Sequence, residues 1–162
     1  MKIIPAALFI SLALAQPPPL RVYISVDAAG GGGVTNFEDL EPRDADYNMM
    51  RRILTAELNA AVEGALRGGA TEVVAEEQHG RGLLVDELNS KVRLLRGWPR
   101  PRGGATGLNA GFQAAIFLGY HAREGSPKAV LPHTFLPDAV ADFRINSRSL
   151  GETEYYAILA GA

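Results

Sequence analysis

The feature that most limits how this chain can fold is its alternation of short β-branched runs with one long stretch of helical period, each run closing on a polar residue or on glycine. Arg21-Val22-Tyr23-Ile24-Ser25-Val26-Asp27 is a strand pattern that stops at Ala28, Ala29 and the four glycines Gly30 to Gly33. From Asp44 the period changes, and Met50, Leu54, Leu58, Ala61, Val62 and Ala65 mark one face of a helix ended by Gly68-Gly69. A second strand is predicted from Thr71 to Ala75, closing on Glu76-Glu77-Gln78-His79-Gly80. The same reading predicts a short helix over Leu83 to Leu88, strands over Val92 to Leu95, Ala114 to Tyr120 and Val140 to Ile145, and a helix from Glu152 to Ala160. The expected class is therefore α/β: a mostly parallel sheet flanked by helices, with chemistry at the carboxyl ends of the strands.

Composition then narrows the chemistry. Among 162 residues, 16 Lys and Arg stand against 18 Asp and Glu, and this near balance leaves no electrostatic footprint for nucleic acid. The chain has no cysteine, so a disulfide framework, a thiolate metal site and a cysteine nucleophile are all excluded, and any metal must be held by nitrogen and oxygen ligands. The N-terminus reads as an address. Lys2, the apolar run Ile3 to Leu12 and the small-x-small Ala13-Leu14-Ala15 make a secretory signal peptide over 1–15, followed by a Pro-rich linker over 16–20. Export to the periplasm or beyond is expected, with no stable membrane insertion after cleavage, and residues 21–162 form one domain.

Asp27, His79 and His121 each follow a predicted strand, so the layout gathers them on one rim of the sheet. Singly, such an aspartate reads as a turn or cap residue and such a histidine as a polar loop side chain. Together they read as a shared metal site, because the chain has only three histidines and two come directly after separate apolar strands.

The series Val22 to Asp27, Thr55 to Ala65, Gly69-Ala70-Thr71-Glu72, His79-Gly80, Gly119-Tyr120-His121-Ala122, His133-Thr134 and Gly151-Glu152 resembles, in order, the zinc D-aminopeptidases encoded with bacterial dipeptide permeases. The resemblance implies an α/β metallopeptidase with two zinc ions, which removes N-terminal D-amino acids from short peptides and assembles as a homo-oligomer. Position by position it implies that Asp27 bridges the metals, that His79 and Glu152 complete one zinc site, that His121 serves the other, and that His133 is the catalytic histidine.

Two departures accompany the resemblance. The family carries Asp-x-Glu-Gly after its first strand, where this chain has Asp27-Ala28-Ala29-Gly30, so a zinc-binding glutamate is replaced by Ala29, with Glu76 and Glu77 as candidates to reach in. The family domain also runs on beyond Glu152, so the resemblance implies that this is its N-terminal part and that the last helix lacks cover. These departures favour a second reading, a metal- or peptide-binding relative with weak catalysis or none. Other motifs carry less. A dinucleotide fingerprint begun at Gly30 fails at Thr35, Trp98-Pro99-Arg100-Pro101-Arg102 reads as a solvated loop, and Glu57 is expected to face water or a neighbouring subunit.

Overall fold

The computed structural model describes residues 18–161, and the expected signal peptide and the first part of the Pro-rich linker lie outside the described residues. Four strands, β1 (Leu20–Val26), β2 (Ala70–Glu77), β3 (Val92–Leu95) and β4 (Ala114–Leu118), form one sheet in the order β3-β2-β1-β4. All three pairings are parallel. β1 lies inside the sheet, with Ile24 between Ala75 of β2 and Ile116 of β4. Its position explains its composition, since a strand buried on both faces reads as a nearly unbroken apolar run.

The period-two alternation of β1 and β2 divides the core in two. Val22, Ile24, Val26, Val73 and Ala75 pack in one cluster with Met50, Leu54, Leu58 and Val62 of helix α1 (Tyr47–Arg67). Those four helix residues recur every fourth position, so they stack along one face and the whole helix lies on the sheet. On the opposite face Tyr23 and Val74 pack with Ala105, Leu108 and Tyr156, supplied by the loop before β4 and by helix α2 (Glu152–Gly161). The Tyr23 hydroxyl donates to the carbonyl of Thr106 at 2.7 Å and fixes that loop against the sheet.

Several sequence expectations are corrected. The segment from Leu83 to Leu88 forms only a single 3-10 turn at Val85–Glu87. Side chains pin the ends of this turn: Glu77 accepts from the Leu83 amide, Thr55 from the Leu84 amide, and Asn59 donates to the carbonyl of Glu87. The strand expected over Ala114 to Tyr120 ends at Leu118 and lies at the edge of the described sheet, with Ile116 partly exposed. The strand expected over Val140 to Ile145 shrinks to β5 (Arg144–Ile145), paired antiparallel with β6 (Arg148–Ser149). Asn146 and Ser147 both take positive φ, as a two-residue hairpin turn requires, so the hairpin decides the pairing and residues 140–143 have no partner strand. Helix α2 finds cover on its inner side, where Tyr156 is buried beside Tyr120, Phe135 and Tyr155. Glu57 accepts a hydrogen bond from the Gly32 amide at 3.2 Å and so holds the glycine loop to α1.

Two glycines join the carboxyl ends of β1 and β4. The Asp27 amide donates to Leu118 O at 2.9 Å and the Gly30 amide to Gly119 O at 2.7 Å. Gly119 has φ +68, and a Cβ there would overlap the Asp27 carbonyl oxygen; a Cβ on Gly30 would overlap the Tyr120 carbonyl. These are backbone obstacles that cannot swing aside. Gly119→Ala should therefore destabilise the fold by more than about 1–2 kcal/mol, measured by chemical denaturation. A wild-type midpoint in that variant would mean that the close approach is not needed.

Glu76 is fully buried on the α2 side and pairs with Arg100 at 3.0 Å. Burial pushes its carboxyl up to about 7, against the pull of Arg100 and Ser25. Because its folded value exceeds the ordinary 4.5, the fold binds this proton more tightly than the unfolded chain does, so stability falls as pH rises from about 4.5 through 7. A thermal-melting series over that window should show a flatter pH dependence for Glu76→Gln than for wild type.

Candidate metal centre

Asp27 is the first residue beyond β1, His79 the second beyond β2 and His121 the third beyond β4, so the parallel sheet delivers all three to its carboxyl edge. Glu152 opens α2, and His133 comes from the long loop between β4 and β5. An open cleft of about 950 Å³ lies over this edge and is lined by Asp27, Ala29, His79, His133 and Glu152 among others.

Asp27, His121, His133 and Glu152 are brought together and buried. The His121 Nε2 atom lies 3.4 Å from Asp27 Oδ2 and 3.4 Å from Glu152 Oε1. It is inaccessible to solvent and has no hydrogen-bond partner. Its other nitrogen, Nδ1, lies 3.1 Å from the Ala122 carbonyl, which fixes the proton on Nδ1 in the neutral ring and turns a bare Nε2 toward the carboxylates. The His133 ring stacks on that of His121 with centroids 3.5 Å apart, and its Nδ1 is likewise held by a carbonyl, that of Leu131, at 2.8 Å. One ligand atom from each of His121, His133 and Glu152 falls within 4.8 Å of the other two.

Backbone amides also fix the carboxylates. Asp27 Oδ1 accepts from the Ala28 amide at 2.7 Å, and Glu152 Oε1 accepts from the Phe135 amide at 2.6 Å. Two buried carboxylates with no Lys or Arg between them need a cation. Burial works to lower the His121 pKa, but the Asp27 and Glu152 carboxylates and the Ala122 carbonyl together overrule it and hold it up at about 10. Without a metal the ring therefore carries a second proton on Nε2, and two carboxylates still face a single positive charge. A divalent metal is the cation that nitrogen and oxygen donors at these spacings accept: tetrahedral zinc with bonds near 2.0–2.1 Å sets neighbouring ligand atoms about 3.3 Å apart.

His79 stands differently. It lines the same cleft but is exposed and lies outside the compact group, while Glu152, expected to share a metal with it, stands against His121. Ala29 is buried on the cleft wall, close in sequence to Asp27, and offers no donor. Neither glutamate of β2 takes its place. Glu77 accepts from the Leu83 amide and pairs with Arg96 at 2.8 Å, and Glu76 is committed to Arg100 and Ser25.

Sequence reasoning missed Arg100 and Trp98. The loop read as solvated carries a buried arginine, with only 6% of its side chain exposed, and its Nη atoms donate to the carbonyls of Glu77 and Gln78. The available signal was Glu76 itself, because a carboxylate inside a central strand requires a counter-charge from elsewhere in the chain.

Comparison with known proteins bears on the family and the fold. The profile of a peptidase family, M55, described as D-aminopeptidase, matches residues 20–162. A D-aminopeptidase of Bacillus subtilis (strain 168) is 33% identical over 144 residues, which is 88% of this chain and 52% of the relative. The solved structure of the Zn-dependent D-aminopeptidase DppA from Bacillus subtilis, described as a self-compartmentalizing protease, superposes with a TM-score of 0.82 at 33% identity, over 88% of this chain and 52% of that one. The chain spans about half the length of these relatives. The motif series and the profile lead to the same place, and the chain belongs to the D-aminopeptidase family, peptidase family M55.

Proposed function

We propose that this protein is a zinc aminopeptidase that releases N-terminal D-amino acids from short peptides. The observation that carries the reading is the buried, unpartnered Nε2 of His121, held between the Asp27 and Glu152 carboxylates beside the cleft. A zinc-dependent D-aminopeptidase with the same fold supports the choice of metal and substrate.

In this reading Asp27, His121 and Glu152 hold the metal, and His79 joins them from the cleft wall. Zinc supplies two things in such a site, Lewis-acid polarisation of a peptide carbonyl and a water that is nucleophilic near neutral pH. The chain's own residues do the rest. The Phe135 amide fixes the Glu152 carboxylate, and the Ala122 carbonyl fixes the His121 tautomer. His133, with Nδ1 held by Leu131, presents Nε2 as the atom that takes a proton and returns it to the departing amine.

One observation favours a weaker catalyst. Ala29 lines the cleft where the family resemblance calls for a carboxylate, and Glu76 and Glu77 are committed elsewhere, so the second of two metals would lack a ligand. The second reading is a relative that binds one metal and peptide with little turnover. Assembly as a homo-oligomer is proposed from the self-compartmentalizing relative. Among the described residues no helix is long and apolar enough to cross a membrane.

A substitution series separates these readings. Purified protein in zinc-supplemented buffer should retain one zinc after dialysis and hydrolyse D-alanyl peptides in preference to L-alanyl peptides. His121→Ala should lose that zinc. Ala29→Glu should gain a second zinc and raise kcat/KM together; groups that merely orient a metal ligand are worth about 10–100-fold, and a restored ligand should be worth no less. Two equally tight zinc ions in wild type would mean that another residue replaces the missing carboxylate, and absence of bound zinc would refute the metal centre. Export is proposed from residues 1–15 alone, and N-terminal sequencing of protein recovered from the host envelope should begin at Gln16. Recovery of an intact Met1 would overturn it.

A further inference from the structure

Trp98 is the most exposed large apolar side chain of the described residues, at 80%, yet it is not a loose surface group. It lines the cleft that also holds Asp27, His79, His133 and Glu152. One face of its indole rests on the Arg100 guanidinium, 4.4 Å from ring centroid to Cζ. Arg100 is in turn bolted down. It pairs with fully buried Glu76 at 3.0 Å and donates to the carbonyls of Glu77 and, at 2.6 Å, Gln78. Those carbonyls belong to the segment that leads from β2 directly into His79. The remaining guanidinium nitrogen, Nε, is inaccessible, and the charge is matched by Glu76, so Arg100 is not free to receive a substrate carboxylate.

We propose that Trp98 determines specificity in this cleft, as the platform against which a large apolar side chain of the bound peptide packs, and that Arg100 is the positioning residue that holds it there. The inference rests on the cleft being a peptide site. A cation behind one indole face leaves the other face and the ring edge for a ligand, and an aromatic platform gives much contact area for little loss of side-chain freedom. Clefts for small ligands combine such apolar walls with a few placed polar groups, here the histidines and carboxylates at the strand ends. Because Arg100 ties Trp98 to the β2 end, the platform and His79 keep one spacing, and a side chain packed on the indole would set where the peptide backbone lies over the metal residues.

The chain has one tryptophan, so its fluorescence reports Trp98 alone. Zinc-supplemented protein at one fixed concentration is titrated with hydrolysis-resistant reduced-amide analogues of D-Phe-D-Phe and D-Ala-D-Ala. The diphenylalanyl analogue should shift the emission to the blue and shield it from acrylamide, and the dialanyl analogue should do so much less. By calorimetry, Trp98→Ala should weaken diphenylalanyl binding about tenfold and dialanyl binding by a smaller factor, with Trp98→Tyr restoring most of the difference. Arg100→Lys keeps the charge but loses the fork; it should erode the diphenylalanyl preference and make the indole of the free protein more open to acrylamide. Binding without hydrolysis of the cognate peptides would sink the catalytic reading and leave the platform standing. Hydrolysis with no response from Trp98, equal losses for both analogues in Trp98→Ala, or an emission shift that follows protein concentration without peptide would overturn the platform itself. Failure of both analogues to bind would overturn it together with the peptide site.

Discussion

The close backbone contact between the ends of β1 and β4 is the constraint on which the site depends. Asp27 and His121 belong to neighbouring parallel strands, and their side chains meet because the chain after each strand stays hydrogen-bonded to the other through Leu118 and Gly119. A side chain at Gly30 or Gly119 would force the two segments apart by the width of a methyl group. That separation exceeds the tolerance of a metal site, whose ligands must stand within a few tenths of an ångström of their places. The glycines after β1 thus act through the absence of a Cβ rather than through loop flexibility.

Around that junction the two faces of the sheet carry different burdens. The α1 face is apolar and supplies most of the hydrophobic stabilisation, through Leu54, Leu58, Val62 and the strand residues they cover. The other face is polar toward the carboxyl ends. The Ser25 hydroxyl lies 2.6 Å from that of Tyr120 and donates to Glu76, and Gln78 donates to the Tyr156 hydroxyl at 3.2 Å. Burying these groups is tolerable because each finds a partner. Among the described residues the buried side-chain atoms without a hydrogen bond are Arg51 Nε, Glu77 Oε2, Gln78 Oε1, Arg100 Nε and His121 Nε2, and only the last stands between two carboxylates.

The group of Asp27, Glu152 and His121 shows the same tension in charge. Two carboxylates drawn out of water against a single imidazole make an unfavourable arrangement that a folded chain would not keep for stability alone. Its walls are nevertheless well made, with backbone amides on both carboxylates and a carbonyl on the imidazole. A structure that spends hydrogen bonds on fixing a charge-deficient cluster is organised to receive a cation.

The α/β layout, the long helix and the strand ends bearing Asp27, His79 and His121 were legible in the sequence, because a residue's burial in regular structure follows from its neighbours at two or four positions' distance. The motif series also led to the family, since spaced polar residues in a fixed order survive without knowledge of any contact. Other features came only from tertiary structure. The apolar run at 114–120 is an edge strand because of sheet order, which no local pattern encodes. Residues 83–88 form a single turn pinned by Glu77 and by Thr55 and Asn59 of the long helix, contacts that no local pattern encodes. Arg100, in a loop that composition reads as solvated, is buried because Glu76 needs its charge across the fold. Local periodicity fixes which side chains face inward, but the pairing of buried charges and the meeting of strand ends are set by distances between segments, and these exist only once the chain has folded.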